Sequence, residues 1–231
     1  MGKRIIQQAR GKGSMTYRVR KKAFIYKIKF PTKTGEAEII KLIHSPAHSA
    51  PLMKIKLENE IAYLPAFNMA YVGQNISVGQ GKPETGNILP LKDIPPTTQI
   101  YNIENNPGDG GKMMRAAGTS AILSKKQKDK IIVALPNKKE TTLNENCRAV
   151  IGTIAGGGKT LKPFVTAGKK YHKMKAKSKL WPRTSAVKMN AVDHPFGCGR
   201  GKRPKPKIAK RNAPPGRKVG HLRPRRTGHK R

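Results

Sequence analysis

The sequence predicts a mainly β protein, two small antiparallel barrels in series between extended basic arms. Three observations carry this. Short apolar runs of period two recur roughly every ten residues, separated by Gly, Pro, Asn and Asp turns. No long apolar stripe of period 3.6 crosses the body. Positive charge collects at the ends: residues 1–33 hold 11 Lys/Arg and no acid, and 169–231 hold 22 with one acid, Asp193. The intervening residues 34–168 hold 16 basic and 11 acidic side chains.

Taken in order, residues 1–35 read as an extended N-terminal arm. The alternation over 24–30 marks a short strand before Pro31. A first barrel spans 36–85, with strands expected at 37–43, 52–57, 60–67 and 75–78. A second spans 86–160, with strands at 87–91, 98–103, 117–123, 131–135 and 147–154. Its connections carry turn chemistry in NPGDGG at 106–111, PNK at 136–138 and GGG at 156–158. Residues 161–231 open with a helix at 167–178, rich in good helix formers and ending before Trp181-Pro182. Beyond residue 198 almost nothing apolar remains, so that tail reads as extended and unfolded unless bound.

A near-neutral body between cationic arms, with a net charge of +37, calls for a polyanion spread over a large area. Nucleic acid fits, because each neutralised phosphate releases condensed counterions. Aromatics make up only 5% of the chain, which argues against binding that relies on aromatic stacking platforms. Cys147 and Cys198 stand 51 positions apart, without zinc-site spacing, and fit a reducing intracellular compartment. No signal-peptide core follows Ile5-Ile6, and no stretch approaches the ~20 apolar residues of a membrane span, so no membrane partner is expected.

Four local patterns invite other chemistry. The GGGKT at 156–160 lacks the first glycine of a phosphate-binding loop, since Thr153 occupies that place and Gly152 comes one residue early. Leu161-Lys162-Pro163 is a poor opening for the helix such a loop needs, so a glycine turn beside a backbone phosphate is expected instead. Asp193-His194 has no nucleophile at a telling spacing, and adjacent residues on a strand point oppositely. His44/His48 and His194/Cys198 each offer two metal ligands where a zinc site uses four. No catalytic residue, no metal site and no small-molecule substrate are expected.

The segment MNAVDHPFGCG at 189–199 closely resembles the signature M-N-x-V-D/E-H-P-H/F-G-G-G of the universal large-ribosomal-subunit protein two family. MGKRIIQQARGKG, NIENNPGDGGKMMRAAGTSA, CRAVIGTI, KPFVTAGKKYHKMKAKSKLWPR and RNAPPGRKVG extend the likeness along most of the chain. Phe196 and KKYHKMKAK point to the archaeal and eukaryotic cytosolic branch. Three departures stand out. Cys198 replaces the middle glycine, Thr98-Gln99 stands where Gly-Thr is common, and the chain after Gly199 is more basic than usual.

The resemblance implies an OB-fold barrel followed by an SH3-like barrel. It also implies a primary binder of large-subunit rRNA in the cytoplasmic ribosome that supports assembly, subunit association and the architecture near the peptidyl transferase centre. The implied partners are that rRNA, neighbouring ribosomal proteins and the small subunit across an intersubunit bridge. No cofactor is implied, Mg²⁺ entering only as an rRNA-associated ion. The alternative is a general nucleic-acid compaction or RNA-chaperone protein.

The candidate rRNA-binding residues follow the charge and the signature. They begin in the N-terminal arm with Lys3, Arg4 and Arg10. Lys112 and Arg115 follow the glycine loop, Arg148 sits in a strand, and Lys159 follows the triple glycine. Lys169, Lys170 and Arg183 precede the signature. Lys188 just before it, and Asn190, Asp193 and His194 within it, mix donors and acceptors suited to ribose and base edges of folded RNA. The tail contributes Arg200, Arg211, Arg217 and Lys218. His194 is expected to position RNA and to perform no chemistry.

Overall fold

The computed structural model describes residues 2–127, 130–198, 207–209 and 211–221. They fall into two compact units, one formed by residues 21–163 and one by 1–20 with 164–231. The protein is mainly β.

In the first unit ten strands form one sheet among the described residues. They are β1 Gly35–Ile43, β2 Leu52–Leu57, β3 Glu60–Pro65, β4 Asn75–Val78, β5 Ile88–Pro90, β6 Gln99–Tyr101, β7 Ala121–Gln127, β8 Lys130–Ala134, β9 Glu140–Asn144 and β10 Arg148–Ile151. Their order is β3-β2-β1-β4-β5-β10-β6-β7-β8-β9. Neighbours are antiparallel except β4 and β5, which meet in parallel at Val78 and Ile88.

Two apolar cores lie along this sheet. The first gathers Phe30, Ile39, Met53, Ile55, Leu64 and Ile76, the second Leu91, Leu123, Ile131 and Val133. The strands between them serve both. Ile88 faces the first core and Leu89 the second; Val150 faces the first, Ala149 and Ile151 the second. Successive side chains on a strand point to opposite faces, so a strand walled by two cores must be apolar at every position. That is why ILP and, after Arg148, AVI read as continuous apolar runs while LMKIKL alternates.

Several expectations need correction. Residues 24–30 form no strand: Ile28 makes a single parallel bridge to Tyr63, and Phe30 turns into the core at 1% exposure. Lys27 and Lys29 alternate with these side chains because one face of an extended plug meets the core and the other meets water. β9 was not expected, since ETTLN buries only Leu143 and is otherwise too polar to show an apolar face. β7 starts at Ala121 because 117–120 are spent on a turn, where Gly118 N–H donates to Ile154 O and Thr119 N–H to Ala116 O.

In the second unit, α3 Ala167–Ala176 matches the expected helix closely and buries no residue fully. The N-terminal arm is not wholly extended, because Ile6–Gly11 forms a helix, α1. A helix that short is marginal from propensity alone. Its anchor is Ile5, 7% exposed, whose carbonyl accepts N–H bonds from Gln8 and Ala9.

The two faces of β7 give a direct test. Leu123 is fully buried and Ile122 is 44% exposed. Leu123→Ala will destabilise by about 2–5 kcal/mol, and Ile122→Ala by less than about 1 kcal/mol, in urea denaturation of the free protein. Equal losses at the two positions would contradict the two-core sheet.

Candidate nucleic-acid interface

The loop from Asn102 to Arg115 is built around a buried carboxylate. Glu104 is fully buried, and its oxygens accept from Gly108 N–H at 3.2 Å, Gly110 N–H at 3.1 Å, Arg148 N–H at 2.9 Å and the Arg148 guanidinium at 3.2 Å. Asp109 does the same one turn later, accepting from Asn105, Asn106 and Gly111 N–H at 3.0–3.2 Å. Partial burial of Asp109 works against its ionisation, but these backbone bonds and the charge of Lys112 outweigh it and hold the carboxyl below its ordinary range. The loop's N–H groups are thus held from inside by its own acids.

This changes what two of the candidate cations do. Arg115 turns inward: Nε donates to Asn102 Oδ1 at 3.0 Å, and Nη2 donates to Ile28 O at 3.2 Å and to Gly111 O. Arg148 donates from Nη1 to Pro31 O at 2.8 Å and lies over the Phe30 ring at 5.2 Å, besides its pair with Glu104. Both guanidiniums tie segments of the first unit together instead of standing free for phosphate. Lys112 is exposed, its Nζ 3.5 Å from Asp109. Lys159 is exposed as well.

GGGKT adopts no phosphate loop. Gly158–Leu161 makes one helical turn, α2, where no helix was expected, and the Thr160 hydroxyl donates to Gly157 O at 2.8 Å. Gly157 and Gly118 pack backbone on backbone, and a Cβ on Gly118 would collide with Gly157 Cα. Close approach of two chain segments is what the glycines serve here.

In the second unit the signature forms a tight turn, not a strand. Asn190 O accepts N–H bonds from Asp193 and His194 at 3.0 and 3.2 Å. Gly197 is buried against that same carbonyl, which a Cβ would strike. Lys3 holds the turn from outside, its N–H donating to Val192 O at 2.8 Å and its Nζ lying 3.5 Å from Asp193. His194 Nδ1 accepts from Phe196 N–H at 3.0 Å, which leaves the proton on Nε2. Burial lowers the pKa of His194, so the ring is neutral near pH 7.

Three clefts adjoin at His194 and Ile5. Arg10 and Arg183 line one, Lys3, Arg4 and Arg217 the next, and Lys218 the third. Among the described residues no Asp or Glu lines any of them. The fold therefore gathers six cations that are far apart in sequence. Lys169, Lys188, Asn190 and Arg211 are exposed elsewhere on this unit. Lys170 is half-buried, its Nζ 5.2 Å from the Trp181 ring centroid. Arg200 lies outside the described residues.

Sequence reasoning missed Glu104, which stands among asparagines and glycines and looks like loop polarity. The one available signal was an acid placed where a glycine-rich loop leaves many N–H groups unpaired. It also missed Ile5, whose apolar character was read only as the absence of a signal sequence.

The profile of the family described as Ribosomal Proteins L2, C-terminal domain, matches residues 84–216. The chain belongs to this family. It is similar over its whole length to the large ribosomal subunit protein uL2 of Archaeoglobus fulgidus, 46% identical with both chains fully covered. The uL2 of Hyperthermus butylicus is also 46% identical, covering 100% of this chain and 99% of its own. That of Methanothermobacter thermautotrophicus is 43% identical with both chains fully covered. These relatives are proteins of the large ribosomal subunit.

Two tests follow from the first unit. Glu104→Gln replaces an acceptor with an amide that turns donors on donors, and breaking a buried pair costs about 3–5 kcal/mol. Denaturation without RNA should show a loss of that size; a loss under about 1 kcal/mol would remove Glu104 as the loop's organiser.

The second concerns His48, whose Nδ1 lies 2.7 Å from Ser45 Oγ. Burial first, then the charge of Arg115, lower its pKa from 6.5. The folded state therefore binds fewer protons than the unfolded chain. Stability from this group is complete above about pH 6.5 and is lost as pH falls through the lower folded value. His48→Gln should flatten the fall in Tm between pH 7.5 and 5.5. An unchanged slope would contradict the assignment.

Proposed function

We propose that this chain is a structural constituent of the large ribosomal subunit that binds its rRNA directly. Assembly of the subunit, the architecture near the peptidyl transferase centre and a bridge to the small subunit belong to this reading, as do contacts with neighbouring ribosomal proteins. In it the chain works in the cytoplasmic ribosome and carries no cofactor of its own beyond Mg²⁺ held by the RNA. Residues 36–85 are assigned to an OB-fold barrel and 86–160 to an SH3-like barrel, with the arms in 1–35 and 161–231.

The observation that carries the reading is the run of adjoining clefts around His194, walled by cations from both ends of the chain and lined by no acid among the described residues. Lys3 pairs with Asp193, and the other five cations so placed would repel one another without a polyanion between them. Their separation along the clefts suits successive phosphates better than one compact anion. The neutral His194 supplies a fixed donor, which suits a positioning role and leaves peptide-bond chemistry to RNA.

Binding of the full chain to a large-subunit rRNA fragment should weaken steeply with salt. Arg217→Ala and Lys218→Ala together should reduce the slope of log K against log salt by about two. Arg115→Ala should lower stability and leave that slope unchanged, because its guanidinium is spent inside the first unit. Affinity for duplex DNA of equal length matching that for rRNA would favour the compaction reading instead.

A further inference from the structure

We propose that the cleft between Arg10 and Arg183 holds the base of a single unstacked rRNA nucleotide. This rests on the rRNA-binding reading above and adds the part of the ligand that enters one cleft.

The cleft has a volume of about 630 Å³. Sites for small molecules run from about 300 to 1,000 Å³, so one nucleotide fits and a duplex does not. Part of its wall is aliphatic, from Ile5, Leu180 and Met189, beside the guanidiniums of Arg10 and Arg183. A bare phosphate could pair with the guanidiniums but would lose its hydration against the aliphatic part and gain nothing from it. A base has two apolar faces and a polar edge, which matches the lining.

The polar groups are placed to suit that edge. His194 lines the cleft, and Phe196 N–H occupies its Nδ1. Nε2–H has no partner among the described residues and is one neutral donor. Ser185 and Thr184 add hydroxyls, each able to donate or accept. The guanidiniums of Arg10 and Arg183 can stack on a base face or clamp the adjoining phosphate. No acid lines the cleft among the described residues to repel the backbone on either side. Unstacked bases are the usual target of sequence-specific RNA recognition, because only they expose their edges.

The low aromatic content of the chain, 5%, is consistent with this arrangement. One base held between aliphatic side chains and guanidinium planes does not need a row of aromatic platforms.

The test uses the full-length protein bound to large-subunit rRNA, with base-specific alkylation of the RNA as the readout. Ser185 is exposed, so Ser185→Leu fills the cleft without touching the core. His194→Gln keeps a donor on a shorter, differently shaped side chain. With the native protein, one unpaired nucleotide should be shielded at its base. Ser185→Leu should return that nucleotide to the reactivity of free RNA and weaken binding by roughly tenfold. The salt slope should not change, since no phosphate contact is removed. His194→Gln should expose the same nucleotide partially.

Full shielding retained in Ser185→Leu would overturn the proposal. So would a parallel loss of every protection, which reports general weakening, or an effect of Ser185→Leu on subunit incorporation with no change at any base, which would put a protein segment in the cleft. Steep salt-dependent binding without any shielded base would defeat the cleft assignment alone. Failure of the native protein to bind rRNA would defeat both readings.

Discussion

The body of this protein depends on one buried carboxylate. Glu104 has no access to water, and burying a charge without partners is prohibitively costly. It is tolerated because four donors converge on it, two from the glycine loop and two from Arg148. Beside the backbone bond from Glu104 N–H to Arg148 O, these contacts hold the glycine loop on β10. The loop 104–111 is fixed to β10 through Glu104, and Arg148 carries the connection on to Pro31 and Phe30. Replacing such a pair with apolar side chains can be neutral for stability. What apolar side chains would not supply is the pairing of loop N–H groups, which otherwise remain exposed or unsatisfied.

Around that knot the two cores share a wall. β5, β6 and β10 place apolar side chains into both cores, so a charge is accommodated there only where it is paired, as Arg148 is at the start of β10. In a chain with 49 Lys and Arg this leaves the outer strands, the turns and the ends for the rest. The two arginines that do approach the interior, Arg115 and Arg148, are each tied down by several acceptors. Charge segregation along the sequence and the double-faced sheet are two expressions of one constraint, the cost of removing a cation from water.

The second unit has little apolar material, and its order comes from backbone packing. The turn at Asn190 closes because Gly197 has no Cβ, and Ile5 supplies the one buried aliphatic anchor of α1. Cys198, which replaces a glycine of the family signature, is exposed, so its side chain meets no steric limit of the kind that Gly197 meets. A scaffold with so few buried side chains can surround His194 with six cations because it buries none of them.

The sequence by itself determined most of the strands and pointed to a polyanionic partner. Period-two alternation at 52–57 and 75–78 reports one buried face directly, and the charge at the ends reports a polyanion, because both are local properties of the chain. The helix at 167–178 was legible for the same reason. The strand at 140–144 was not, since its single buried residue leaves no periodic trace, and neither was α1, which depends on Ile5 finding a place to be buried. Above all, the sequence placed Arg115 and Arg148 among the residues expected to bind RNA. A cation looks the same in a sequence whether it faces water or a buried carbonyl. Only the tertiary structure decided that these two turn inward while Arg10, Arg183, Arg217 and Lys218 line the clefts at His194. Where a guanidinium points depends on which acceptors the fold brings within about 3 Å of it, and those acceptors come from residues as distant in sequence as Pro31 from Arg148.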